Sequence, residues 1–193
     1  LSGTGATDLA DILFMPTVGE LKFIPGSKEN PSEGYRSRFK HENEKASPGY
    51  YSVYLDDYKV KAELTVSLRA GLHKYTFPKS YSSNIIIDLK HGLDSDREAY
   101  IKFVSYNRIE GMRKSRGWAQ EHSVYFVAEF SKPITQFGTV TDEVIKEGSR
   151  EASGKNVKAF VRFTTNDNEV ILVRIGISAV SAKGARKNLE KEI

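Results

Sequence analysis

The 193-residue sequence contains no cysteine, which excludes a disulfide framework, a thiolate metal site and a cysteine nucleophile. The absence does not by itself fix a compartment. No apolar run approaches the roughly 18 residues that a membrane span requires. The chain opens Leu1-Ser2-Gly3-Thr4-Gly5, without methionine or a basic-then-apolar signal sequence. Asn30-Pro31-Ser32 fails as a glycosylation sequon because proline holds the middle position, and there is no other sequon. His41, Glu42 and His73 lack the spacing of a metal site, and no two carboxylates are spaced as an acid/base pair.

Excess charge of one sign is also scarce: 29 basic residues are scattered among 25 acidic ones, for a net charge of +4. The densest basic stretch, Arg113-Lys114-Ser115-Arg116, lies beside Trp118. Without a nucleic-acid fold signature it reads as a solvated loop rather than a nucleic-acid contact. Ser2-Gly3-Thr4-Gly5 has the composition of a phosphate loop but no preceding strand and no terminal lysine-serine. It reads as a turn, or as a place where backbone approaches a ligand closely. Asp8 and Asp11 precede the apolar run Ile12-Leu13-Phe14-Met15 and read as capping or turn residues. Trp118, the single tryptophan, fits either a core position or an aromatic platform for a sugar ring.

What the sequence has in quantity is alternation. Ten Tyr and ten Phe stand against two Met, and Val, Ile and Thr are frequent, a composition that favours sheet. Val60, Ala62, Leu64, Val66 and Leu68 are apolar while Lys61, Glu63, Thr65 and Ser67 between them are polar, the period-two pattern of a strand with one wet face. Val157, Ala159, Val161 and Phe163 repeat it, interleaved by Lys158 and Arg162. The segments 84–89 and 124–130 are apolar on both faces and predict central strands. Asp56-Asp57 predicts a hairpin between 50–55 and 58–68. About ten short strands imply a large antiparallel β-sandwich, with long polar loops at 26–34 and 142–155, the second a mobile segment or a surface hairpin. Only the end reads as helix: Ser181 can cap it, and Ala182, Ala185, Leu189 and Ile193 share one face. That stripe is expected to find no partner within the chain. From the residues alone, the reading stops at an all-β binding domain.

Seven segments in order go further: Leu1–Gly5 with Asp8 and Asp11–Pro16, Tyr35–Glu44, Pro48–Leu55, Gly71–Pro78, Gly117-Trp118-Ala119, Val124-Tyr125-Phe126 and Ile175–Ser181. Together they resemble the N-terminal domain of glycoside hydrolase family 92, the calcium-dependent exo-α-mannosidases. The resemblance implies an all-β sandwich over residues 1–180, with residues 181–193 beginning a linker helix to an (α/α)6 barrel. In such enzymes the active site lies where the two domains meet, and terminal α-linked mannose is removed from glycans with inversion. The general acid, the general base and most calcium ligands are expected on the barrel, so this chain alone is expected to be inactive and to hold no catalytic or metal-binding residue. Ser2, Gly3, Leu72, His73, Gly117 and Trp118 are the expected sugar contacts. The implied partners are a mannose-containing glycan and the barrel of the same polypeptide, with a dimer through the exposed domain interface as a further expectation. The implied location is the bacterial periplasm or cell surface. The competing reading is a stand-alone carbohydrate-binding module without catalysis.

Overall fold

In a computed structural model, residues 10–27, 29–93, 95–117 and 119–193 are described, and their strands form two antiparallel sheets. Numbered in chain order, the five-stranded sheet runs β1 (Leu13–Val18), β6 (Ser80–Asp88), β13 (Val157–Thr165), β10 (Gln136–Thr141), β11 (Val144–Glu147). The nine-stranded sheet runs β12 (Glu151–Gly154), β7 (Ser95–Ser105), β8 (Arg108–Arg116), β9 (His122–Phe130), β14 (Glu169–Ser178), β5 (Ala70–Phe77), β4 (Val60–Val66), β3 (Tyr50–Leu55), β2 (Lys45–Ser47). One helix, α1 (Ala182–Glu192), follows β14. The expected all-β sandwich is thus the observed architecture.

The sheets pack through the apolar halves of their alternating strands. Ile85, Ile87, Val157, Ala159, Val161 and Phe163 of the small sheet meet Tyr75, Phe77, Ile101, Ile109, Phe126 and Val173 of the large one, all at 1% exposure or less. At about 0.8 kcal/mol per buried methylene, this layer outweighs the surface ion pairs, which are worth about 0–1 kcal/mol each. The expected hairpin forms as read, β3 pairing with β4 across a turn at 56–59.

Four expectations need correction. The face of β13 read as wet is covered: Phe160 is 3% exposed and its ring packs on Phe23, while Lys158 donates to the Phe23 carbonyl at 2.5 Å. The loop that starts at Gly19 therefore acts as an outer lid on the small sheet, and Tyr35 pins it by donating to buried Asp88 at 3.0 Å. The segment 142–155 is neither a mobile loop nor a hairpin. Its two strands go to different sheets, β11 pairing with β10 and β12 with β7. These short edge strands raise the strand count above the expected ten, because four-residue runs carry too little alternation to read.

The apolar stripe of α1 is not partnerless. Ser181 Oγ accepts from the Gly184 amide at 3.0 Å, as a cap should. Ala185 and Leu189 then lie buried on Ala70 and Val127, on the outer face of the large sheet. The helix can come so close because residue 176 is glycine: a Cβ there would lie 2.3 Å from the Ala185 carbonyl oxygen and 2.7 Å from Leu189 Cβ.

This contact yields a prediction. Gly176→Ala should weaken helix docking by about 1–3 kcal/mol through overpacking, and Leu189→Ala by about 2–4 kcal/mol through the cavity it leaves. Hydrogen exchange should accelerate at the amides of 182–192 in both variants, with those of β6 and β13 unchanged. Uniform acceleration across the sandwich would contradict it.

Candidate functional site

The large sheet overruns the small one at one end, and exposure of its inward-facing residues rises there. Along β4 the inward series goes from Val60 at 0% and Ala62 at 5% to Val66 at 68%, with Leu68 beyond at 82%. Along β14 it goes from Ile171 and Val173 at 0% to Ile177 at 41%. The register sets Val66 opposite Gly71 and Gly71 opposite Ile175, and the Ile177 amide donates to the Arg69 carbonyl, so the exposed Val66 and Ile177 stand on the two strands that flank the start of β5. The result is an apolar mouth walled by Ile12, Phe14, Val66, Leu68, Ile175 and Ile177. Through Ile12, Arg69 and Ile177 it opens into a groove of about 850 Å³ between the start of β1, the start of β9 and the first turns of α1. Val124 and Val180 add apolar wall to the groove, and Asp11, His122, Lys187 and Asn188 add polar rim.

The rim is held in place from two sides. Glu192, at the end of α1, accepts from Ser67 Oγ at 2.7 Å, from the Arg69 amide at 2.7 Å and from Arg69 Nε at 3.0 Å. Those donors, Ser67 first and the Arg69 amide next, hold its carboxyl down at about 2. The tip of the β4–β5 hairpin is thereby tied to the helix. On the other side Asp11 bonds both Arg113 and, at 3.0 Å, His122 Nε2.

Arg113 corrects the reading of residues 113–116 as a solvated basic loop. Residues 113–116 end strand β8, and the Arg113 side chain has no exposed surface. Its Nε donates to Asp96 Oδ1 at 2.9 Å, its fork also reaches Asp11, and Lys90 bonds the second oxygen of Asp96 at 2.6 Å. A buried guanidinium is tolerable only when its charge is answered and its donors are occupied, and two carboxylates meet that demand here. Gly92 makes room for it, since a Cβ there would lie 2.3 Å from Arg113 Cζ. Asp11 is accordingly an ion-pair partner and not a turn or cap residue.

Of the expected sugar contacts, His73 lies in the wall of the mouth. Its Nδ1 is 2.8 Å from the Tyr75 hydroxyl, and its ring stands edge-on to Phe14 at 5.7 Å. Burial pushes its pKa down to about 4, so the ring is neutral near pH 7 and offers a hydrogen bond rather than a charge. Leu72 does not join it. Neighbours in a strand point to opposite faces, and Leu72 falls on the outer face with Ala70, on the helix side of the sheet. Gly117 sits in the β8–β9 connection, its amide donating to the Ala119 carbonyl at 3.0 Å, two residues beyond Ser115, which pairs with His122 at the groove. Ser2, Gly3 and Trp118 lie outside the described residues. Sequence reading missed Asp11, Asp96, Arg113 and His122 as a unit, since they are dispersed along the chain. The exposed end of the alternation was legible as a strand but not as a surface.

Among the described residues, no group of three His, Asp or Glu side chains converges as a metal site would require. Among the described residues, the acid lining the groove, Asp11, is already committed to Arg113, and Glu192 at the helix end is committed to Ser67 and Arg69. The described residues therefore do not fit calcium.

Comparison with known proteins is consistent with this architecture. The family model of the glycosyl hydrolase family 92 N-terminal domain matches residues 1–178. A solved family GH92 alpha-mannosidase from Bacteroides thetaiotaomicron is 43% identical, with a TM-score of 0.94 over 99% of this chain and 27% of that one. The same alpha-mannosidase has been solved in complex with mannoimidazole. An inverting mannosidase of the family from Bacteroides thetaiotaomicron VPI-5482 shares the fold at 23% identity and a TM-score of 0.80, over 94% of this chain and 23% of that one. This chain thus spans about a quarter of the length of these enzymes. No curated protein sequence matches it.

The state of His73 gives the second prediction. Its native pKa lies below its ordinary value of 6.5, so the unfolded chain takes up a proton that the folded chain refuses. Its contribution to stability is whole above pH 6.5 and is lost as pH falls toward about 4, by roughly 2–3 kcal/mol in all. In denaturant titrations, His73→Gln should lose correspondingly less stability than wild type between pH 6.5 and 4. Equal losses would contradict the assignment.

Proposed function

The chain belongs to glycosyl hydrolase family 92 as its N-terminal domain, and from that premise we propose that it forms one wall of the sugar site in an exo-acting α-mannosidase. The observation that carries the reading is the 43% identity to a family GH92 alpha-mannosidase across 99% of the chain. In the proposed enzyme, terminal α-linked mannose is cleaved with inversion. Inversion needs an acid on the leaving oxygen and a base that activates water on the opposite face. Neither belongs to this chain in our reading. Both are assigned to the remainder of the polypeptide, an (α/α)6 barrel reached through residues 181–193. Calcium is assigned to the same remainder.

The work given to this domain is passive but specific. Its open end exposes Val66, Leu68, Ile177 and Val180 in one apolar area, which is unfavourable in water and marks a contact surface. The occupant we assign is the barrel of the same polypeptide, because the family relatives are close to four times as long as this chain. Covering the mouth in this way excludes water from one side of the site. It leaves the rim at Asp11, His122 and the β8–β9 connection facing the junction, where sugar hydroxyls need directional partners and sugar C–H faces need apolar surface. Ser2, Gly3, His73, Gly117 and Trp118 are assigned as contacts on this side, and Leu72 as a support behind His73. A location in the periplasm or at the cell surface is part of the proposal. Among the described residues, no helix is long and apolar enough to cross a membrane.

The test compares the chain with the complete polypeptide on an aryl α-mannoside. The complete polypeptide should turn over and release β-mannose first, as followed by NMR, while the chain alone should show no turnover. Turnover by the chain alone, or the absence of mannosidase activity in the complete polypeptide, would contradict the reading. Self-association of the isolated chain that Leu68→Gln abolishes would indicate a second copy occupying the same surface when the barrel is absent.

A further inference from the structure

We propose that Asp11 and His122 form a hydroxyl-binding pair at the rim of the groove, and that Arg113 is the positioning residue that holds the pair from beneath. The inference rests on the mannosidase reading above and adds the residues that orient the sugar from this side.

The geometry runs outward from the core. Arg113 has no exposed surface, Asp11 is 10% exposed and His122 is 23% exposed, so polar contact passes in two steps from the interior to the groove. Arg113 is immobilised on one side by Asp96, which Lys90 also engages, and closed off by Gly92. Its fork also reaches Asp11 Oδ1, and the other oxygen of the same carboxylate meets His122 Nε2 at 3.0 Å. In the tautomer whose Nε2–H donates to Asp11, the other ring nitrogen of His122, Nδ1, is an acceptor. A sugar hydroxyl can donate to such an acceptor while its ring lies along Ile12, Val124 and Ile177, the apolar wall of the same groove.

The backbone supports the same conclusion. Ala10, one residue before Asp11, has φ of +50°, a conformation that residues bearing a Cβ adopt reluctantly and that persists where neighbouring contacts over-determine it. The grip of Arg113 and His122 on Asp11 is such a contact. Without it, the start of β1 loses the anchor that fixes where the carboxylate stands. A surface ion pair would not need a fully buried guanidinium. A purely structural one would not need its second carboxylate oxygen bound to a histidine that lines the groove.

The test uses the complete mannosidase, steady-state kinetics on an aryl α-mannoside and the melting temperature of each variant. His122→Phe should lower kcat/KM about two- to tenfold, the loss expected for one hydrogen bond between uncharged groups, with most of the change in KM and little change in melting temperature. His122→Gln is the milder variant should the phenylalanine fail to fold, and it should show a smaller loss in the same direction. Arg113→Met should reduce kcat/KM comparably although it touches no substrate. Arg113→Lys, which keeps the charge without the fork, should recover part of that loss. Unchanged kcat/KM in both His122 variants would overturn the proposal. So would losses that vanish when every variant is assayed well below its melting temperature, since that is the signature of a merely structural cluster. An inactive wild-type polypeptide would instead overturn the mannosidase reading on which the inference stands.

Discussion

Two sheets of unequal size share one apolar layer, and that inequality governs the rest of the molecule. Nine strands cannot be covered by five. Where the small sheet is present, inward side chains such as Ile85, Val161, Phe126 and Val173 are fully removed from water, and the fold takes its stability from them. Where it stops, the same alternating pattern continues into Val66 and Ile177 without a partner layer. The mouth is therefore the uncovered end of the core and not a depression cut into a finished surface. This explains why its walls are largely apolar, with His73 set among them, and why the charged groups stand at its rim.

The cluster around Arg113 shows how such an end can carry directional chemistry. A buried charge in a sheet protein is costly unless it is answered, and the cluster here draws on four separate parts of the chain. Strand β8 supplies the guanidinium, β7 supplies Asp96, the β6–β7 connection supplies Lys90 and the glycine that makes room, and the approach to β1 supplies Asp11. That convergence ties the start of the first strand to the middle of the large sheet. Glu192 does the corresponding work for the β4–β5 hairpin from the end of the helix. The two rims of the groove are thus fixed by ionic contacts to elements distant in sequence, while the walls between them are held by packing.

The strands were legible in the sequence because period-two alternation is written residue by residue, as in Val60 to Leu68 and Val157 to Phe163. The hairpin at Asp56-Asp57 and the Ser181 cap were legible for the same local reason. What covers each face was not. Lys158 and Phe160 read as the wet side of a strand, yet the loop bearing Phe23 and Tyr35 folds over them, and nothing local to β13 announces a lid. The helix stripe read as partnerless because its partners, Ala70 and Val127, lie far away in the chain. Of the site, His73 was legible through family likeness, and the structure brings it to the mouth. Leu72 beside it was carried along by adjacency, although alternation within a strand sends it to the other face. Arg113 was misread because three basic residues in four positions look solvated until tertiary contacts bury one of them.

The central claim is that the uncovered end of the sandwich is a contact surface for the rest of the polypeptide. The absence of cysteine from this chain permits a direct measurement. Leu68→Cys places the one thiol of this chain at the most exposed point of the apolar area, and its rate of reaction with a neutral maleimide, followed at position 68 by peptide mapping, can be compared in the isolated chain and in the complete polypeptide. The account predicts labelling at least about tenfold slower in the complete polypeptide, in line with burial at a stable interface. Equal rates in the two would contradict it.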